Sequence, residues 1–278
     1  MPFADEHFIG REQELARLNE LFLNSNKIAL TGLGGVGKTR LAVHYAYQQK
    51  PRYAFILWVS ASSKASLDTS LSQLADKLNA DPLLKQAEKM AFVKAWLEQH
   101  KAWLLIIDNA DNDQEITAKV LESFLPVSPQ GHILFTTQII TADLKFKAAA
   151  LEIKCLDTET GGLFLWGRIH ADKQATPDEL TAAQEISDAL SGLPLALAQA
   201  AAYIKENQCA LTDYSPLYEK YAKELLNPDL TEYQQVISDH DLPVFATFKL
   251  SFSRLQELEK TYYLFAHCYT RRAFLMKF

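Results

Sequence analysis

The sequence predicts a parallel, doubly wound α/β domain followed by an all-helical region. Apolar runs alternate with helix-period segments across the first half, and strand signals stop after about residue 157. A glycine-rich turn closes the first apolar run, at the carboxyl end of a strand, where open α/β sheets bind ligands.

Lys27 to Thr31 (KIALT) is the first expected strand. Tyr53 to Ser60 (YAFILWVS) is almost continuously apolar, as for a strand covered on both faces. Leu67, Leu71, Leu74 and Leu78 recur at helical spacing, and Met90, Val93 and Leu97 mark another helix. Trp103 to Ile107 (WLLII) and His132 to Thr137 (HILFTT) supply two more strands. In a fifth, Leu151, Ile153 and Cys155 alternate with Glu152 and Lys154, which predicts a sheet edge. Beyond it, Thr176-Pro177-Asp178-Glu179 is a capping box with proline at the first helical position. Leu180, Ala183, Ile186 and Leu190 share a face, Gly192 is the stop, and Pro194 opens a helix whose run to Ile204 is apolar enough to be buried. Phe245, Phe248, Phe252, Leu255, Leu258, Tyr262 and Phe265 form an apolar stripe read as core packing. The expected domains are 1–156, 157–240 and a last helical piece, 241–278, too short to build its own core.

Composition excludes several function classes. The net charge of -6 argues against a nucleic-acid backbone as main partner, which requires clustered Lys and Arg; Arg271-Arg272 reads as solvated surface. Cys155, Cys209 and Cys268 lie far apart with no zinc-ligand spacing, and read as isolated buried thiols in a reducing compartment. There is no signal-peptide pattern or membrane-length apolar run, so a cytoplasmic location without membrane contact is expected.

The chemistry lies in Gly32-Leu33-Gly34-Gly35-Val36-Gly37-Lys38-Thr39, which satisfies GxxxxGK[ST] between a strand and an amphipathic helix bearing Leu41, Ala42, Tyr45 and Ala46. Such a P-loop turns backbone N–H groups toward phosphate and adds the helix dipole. Lys38 is expected to reach the β and γ phosphates, Thr39 to ligate Mg²⁺, and Arg40 to count with the loop. Asp108, after the apolar run LLII, is the carboxylate expected to hold Mg²⁺ from an adjacent strand; the bland reading is a cap or turn former. The only Asn-Lys, Asn26-Lys27, precedes the loop and lacks the Asp of a guanine-reading segment, so the expected ligand is ATP or ADP with Mg²⁺.

With Phe8-Ile9-Gly10-Arg11-Glu12 upstream and Gly192-Leu193-Pro194-Leu195-Ala196 downstream, the ordered set resembles the NB-ARC branch of the STAND signal-transduction ATPases. The resemblance covers residues from about 8 to 268 and makes HILFTT similar to that family's sensor strand. It implies that Ile9 and Arg11 lie against adenine, that Pro194 presses on the base or sugar, and that a winged helix starts at Phe245 to Phe265. The plainer alternatives are that Arg11 merely opens a helix carrying Leu15, Leu18 and Phe22, and that Pro194 is only a helix start.

Three departures from the family pattern shape the expected activity. Asn109 replaces a second acid and can orient water but not accept a proton; Asp111 and Asp113 follow as substitute acids or solvated loop residues. Gln138 replaces an arginine, and Arg168 is the only arginine from Tyr53 to Ser253. His240-Asp241 precedes the winged helix and does not match the family's His-Asp motif. The leading expectation is therefore an ATP/ADP switch in which Lys38, Asp108 and Asn109 support slow hydrolysis, with self-assembly or a protein partner engaged through the helical C-terminal part. The alternatives are a turnover ATPase of AAA-like type, with Arg168 as finger, or a truncated interaction fragment that binds ADP without cycling.

Overall fold

A computed structural model of the chain describes residues 2–3, 8–111, 121, 123–127, 129–141, 146–170, 173–225 and 242–253. Asp113, His240-Asp241, Leu255, Leu258, Tyr262, Phe265, Cys268 and Arg271-Arg272 lie outside the described residues. The chain divides into two compact units, Met1–Lys154 and Cys155–Phe278.

The first unit runs α1 (Glu12–Asn24), β1 (Lys27–Thr31), α2 (Lys38–Gln48), β2 (Phe55–Ser60), α3 (Lys64–Lys77), α4 (Gln86–Gln99), β3 (Trp103–Asp108), β4 (His132–Thr136) and β5 (Ala149–Glu152). The sheet order is β2-β3-β4-β1-β5, with every neighbouring pair parallel. Two sequence-based expectations change here. Asp108 was expected on a strand adjacent to the one that enters the P-loop, but β4 pairs with both β1 and β3 and separates them. And β2 is an edge strand, not one covered on both faces: Phe55 is 40% exposed and its residues alternate in burial. Leu57 and Val59 are buried while Ile56 and Trp58 on the other face are half-buried, and the Phe55 ring is set edge-on against Trp96 of α4.

The other edge is β5, where the predicted alternation occurs, although the strand ends at Glu152. Its successor Ile153 is buried and donates its N–H to Thr31 O at 2.8 Å. The inner strands are buried on both faces. Leu105, Ile107, Ile133 and Phe135 pack with Leu67, Leu71, Val93 and Leu97 of α3 and α4. Strand side chains alternate between faces, so Leu104, Ile106 and Leu134 are buried on the side of α1 and α2. The apolar faces of α3 and α4 thus sit where the leucine and valine spacing predicts.

The second unit is helical as far as it is described: α5 (Thr158–Ile169), α6 (Pro177–Ala189), α7 (Pro194–Asn207), α8 (Leu211–Leu225) and α9 (Leu242–Ser253). The Thr176–Glu179 capping box forms with both reciprocal bonds. Gly192 takes φ +61°, and its N–H returns to Ser187 O at 2.9 Å, closing α6. Along α7, Ala196, Leu197, Ala200, Ala201 and Ile204 are buried, while Leu195 is exposed. α9 packs against α7 and α8, with Ala246 and Leu250 buried and Thr247 hydrogen-bonded to Gln199. Cys155 and Cys209 are half-buried rather than buried, because each lies just outside a helix or strand.

A titratable group sits at the amino end of the sheet. His132 packs 4.6 Å from the Phe22 ring, with Nδ1 2.7 Å from the Tyr53 hydroxyl. Burial, with the Arg52 guanidinium, pushes its pKa down from 6.5 to about 4, against a hydrogen bond with the Phe22 backbone. The fold therefore keeps His132 neutral, whereas the unfolded chain binds the proton below the ordinary value. The stability this contributes is complete above pH 6.5 and is lost as pH falls through the window down to about 4. Urea unfolding at pH 7 and pH 4.5 is expected to show wild type losing about 1–2 kcal/mol more than His132→Gln. Equal losses would assign the acid sensitivity to other groups.

Candidate nucleotide site

The site forms where β1, β3 and β4 end. Gly37, at φ +99°, turns the chain into α2, so the loop Gly32 to Gly37 leads directly to a helix N-terminus. Two of the loop's glycines do different jobs. Gly32 is at φ +136°, and a Cβ there would collide with the Ile153 carbonyl, so the fold itself demands glycine. Gly34 has no such requirement: an added methyl would meet only the Gln138 amide, at 3.5 Å from Oε1. Its missing side chain leaves the loop backbone approachable from outside. Gly35 lies at φ +78°, and Val36 is buried beneath the loop.

Lys38 is buried, and its Nζ donates to Gly32 O and Leu33 O, each at 2.7 Å. Burial lowers its pKa, opposed by the charges of Asp111 and then Asp108. Both carboxylates lie at or just beyond the carboxyl end of β3. Thr39, the next residue, donates from Oγ1 to Asp108 Oδ1 at 2.7 Å, and Arg40 is exposed on α2.

The same Asp108 oxygen accepts a second bond, from Thr136 Oγ1 at 2.7 Å. Thr136 in turn accepts the Asn109 N–H at 2.8 Å, and its carbonyl accepts the Ala110 N–H at 2.9 Å. Thr137 is fully buried and donates to Ala110 O at 3.0 Å. The segment after β3 is therefore fastened residue by residue to the end of β4. Asn109 makes the bend at φ +62°, a conformation Asn tolerates better than most side chains. The fastening ends at Gln138, whose N–H donates to Asp111 Oδ1 at 2.5 Å and whose Nε2 lies 3.3 Å from Oδ2. Asp111 and Gln138 were singled out in the sequence only as a substitute acid and as the replacement of an arginine, and Thr136 only as part of the sensor-like run. That the two runs meet was not readable from either alone, since the contact depends on β3 and β4 being neighbours.

A hydroxyl and a carboxylate oxygen in contact beside a P-loop suit Mg²⁺, which prefers hard oxygen ligands and keeps several from phosphate and water. Among the described residues no group of three or more His, Cys, Asp or Glu could hold a metal alone. A cation at Thr39 and Asp108 would thus depend on nucleotide oxygens and water for the rest of its shell.

The remaining predicted residues are spread differently. Arg11 caps α1 and is buried, but its guanidinium is committed to protein acceptors: Val36 O at 3.1 Å, Lys154 O at 2.8 Å and Glu14 at 2.6 Å. It fastens the upstream segment to the P-loop and to the end of the sheet. Phe8 stacks on His44 of α2 with centroids 3.9 Å apart, and Ile9 beside it is half-buried. Pro194 is the half-buried first residue of α7, in the second unit. Arg168 lies in α5, its guanidinium 4.6 Å over the Phe164 ring.

The family described as AAA ATPase domain matches residues 7–125. A nucleotide-binding leucine-rich repeat (NLR)-like protein of Hyaloscypha variabilis is 29% identical over 289 residues, covering 92% of this chain and 29% of that protein. The chain is thus similar to NB-ARC/STAND-type nucleotide-binding proteins. It therefore spans less than a third of the length of that fungal relative. The fold is shared with two solved archaeal structures. A Walker-type ATPase of Pyrococcus abyssi has a TM-score of 0.58 at 16% identity, over 84% of this chain and 77% of that one. A STAND protein with a tetratricopeptide repeat sensor from Pyrococcus horikoshii has a TM-score of 0.51 at 18% identity, over 90% and 40% respectively. No helix among the described residues is long and apolar enough to cross a membrane.

The glycine contrast gives a direct expectation for the loop. Gly34→Ala is expected to leave thermal stability within ~0.5 kcal/mol while weakening ADP binding in calorimetry. Gly32→Ala is expected to cost more than ~2 kcal/mol of stability through its backbone and its collision with Ile153. If Gly34→Ala bound ADP as tightly as wild type, the open side of the loop would not be where phosphate approaches.

Proposed function

We propose that this chain is a nucleotide-controlled switch that binds ATP or ADP with Mg²⁺, exchanges one for the other, and resets by slow hydrolysis. The observation that carries this reading is the Asp108 node: one carboxylate oxygen bonded to Thr39 of the P-loop and Thr136 of β4. Lys38 and the loop amides would hold the phosphates, and Thr39 and Asp108 the cation. The Lys38 ammonium, bonded to Gly32 and Leu33 carbonyls, is already at the loop's open side.

The slowness follows from what stands beside this node. Asn109 is an amide, so it orients water without accepting its proton. Gln138 is a neutral donor where an arginine would supply charge, a difference of ~10³ to 10⁵ in rate when the cation is present. A chain with a complete phosphate grip and weak turnover spends its time in defined nucleotide states, which is what a switch requires. The response would be a nucleotide-dependent change in domain docking or self-assembly. Pro194, as the first residue of a helix in the second unit, is the proposed contact for base or sugar, and Ile9 with Arg11 the proposed adenine side. The bonds of Arg11 to Val36 and Lys154 support an indirect role, in which it braces the loop that meets the nucleotide.

Restoring the two replaced groups tests this reading. Asn109→Asp with Gln138→Arg is expected to raise single-turnover hydrolysis by at least about tenfold, the arginine contributing most. The two gains are not expected to multiply, since both act on one transition state. Rapid multiple turnover by the unmodified chain would instead establish a working ATPase and remove the switch.

A further inference from the structure

The end of the sheet opposite the P-loop carries a cleft of about 340 Å³. Four stretches of chain meet there, at or just before the starts of β1 to β4: Asn26, Arg52 with Tyr53, Ala102, and Pro129 to His132. They are fastened to one another. Asn26 Nδ2 donates to Pro129 O at 3.2 Å, and the Ala102 N–H donates to Gln130 O at 3.3 Å. The Ala102 carbonyl accepts the Ala54 N–H at 2.7 Å. Gly131 lies so close over Trp103 that an added Cβ would collide with its carbonyl, so this wall of the cleft is set by the core beneath it. Ala102 holds φ +55°, a left-handed conformation rare for alanine, and backbone strain of this kind collects at ligand sites.

Arg52 supplies the charge. It is exposed, makes no ion pair among the described residues, and lies 5.5 Å over the Tyr53 ring. No Asp or Glu among the described residues lines the cleft. The guanidinium nonetheless acts inward, since its charge weighs on the His132 ring and on the Tyr53 and Tyr45 hydroxyls. Further donors stand beside it: the Asn26 amide keeps a second N–H after its bond to Pro129. A cation facing a polar cleft with no carboxylate opposite leaves the site short of one negative charge.

We propose that this cleft binds a small organic anion through a carboxylate or phosphate group, with Arg52 as the charge partner and the Asn26 amide as a second donor. Both groups offer two oxygens at a spacing the guanidinium fork can hold together. The volume suits a small molecule better than a single ion. Ligand pockets span roughly 300 to 1,000 Å³, whereas one water takes about 30 Å³. The site is also separate from the nucleotide site. The five residues of β1, at ~3.3 Å each, stand between Asn26 and Gly32, so both sites can be filled at once.

The test follows the His132 ring protons by NMR while inorganic phosphate or, separately, benzoate is titrated into the full chain at pH 7 and low salt. The His132 signals are assigned by their absence from His132→Gln. A saturable shift is expected with at least one of the two anions. Arg52→Gln, at an exposed position, is expected to weaken it at least about tenfold with thermal unfolding unchanged, and Arg52→Lys to weaken it less. Lys38→Ala is expected to keep the shift, which separates this cleft from phosphate held at the P-loop. A response to benzoate alone assigns the carboxylate, a response to phosphate alone assigns the phosphate, and a response to both supports the shared chemistry. An absent or unsaturable shift with both anions would overturn the proposal. So would a saturable shift that Arg52→Gln leaves unchanged or that Lys38→Ala abolishes.

Discussion

One carboxylate oxygen, Asp108 Oδ1, accepts hydrogen bonds from Thr39 and from Thr136, and so joins the ends of β3 and β4 to the first turn of α2. Its energetic worth comes from position. Each bond is charge-assisted, and each donor stands on a different element, so the carboxylate fixes the mutual placement of three backbone segments. The P-loop takes its orientation from this node on one side. On the other, Arg11 ties Val36 to Lys154 beyond β5, so both flanks of the loop are fastened to the sheet.

The insertion of β4 between β1 and β3 makes this arrangement possible. Asp108 still meets Thr39 directly, although β4 stands between β1 and β3. With β4 between them, Thr136 orients the carboxylate, and the residues after β4 run alongside those after β3. Ala110 N–H to Thr136 O, Thr137 to Ala110 O and Gln138 to Asp111 are successive consequences. The ends of β3 and β4 are therefore joined by a continuous chain of hydrogen bonds that begins in the interior and ends at the surface with Gln138.

Local chemistry was the most legible part of the sequence. The P-loop, the Thr176–Glu179 capping box and the Gly192 stop depend on residues within a few positions of one another, and all three form as read. The leucine spacing of α3 was equally plain, since its periodicity is the burial pattern. Strand order was not legible, because parallel crossovers do not record which strands become neighbours. That is why Asp108 was expected on the adjacent strand, and why the apolar run of β2 was read as covered on both faces although it forms an edge. The Asp111–Gln138 pair was hidden for the same reason: the adjacency of β3 and β4 creates it. At Arg11 the structure adds what motif position does not carry, three protein acceptors for its guanidinium.

The central claim, that the loop from Gly32 to Thr39 is an ATP/ADP site completed by a cation at Thr39 and Asp108, is tested most directly by calorimetry. The purified wild-type chain, stripped of retained nucleotide, would be titrated with ADP in Mg²⁺ and in EDTA, beside Lys38→Ala. Saturable binding at one site per chain is expected, tighter with Mg²⁺ and lost in Lys38→Ala while that variant keeps its thermal unfolding transition. Equal ADP affinity in wild type and Lys38→Ala would contradict the account.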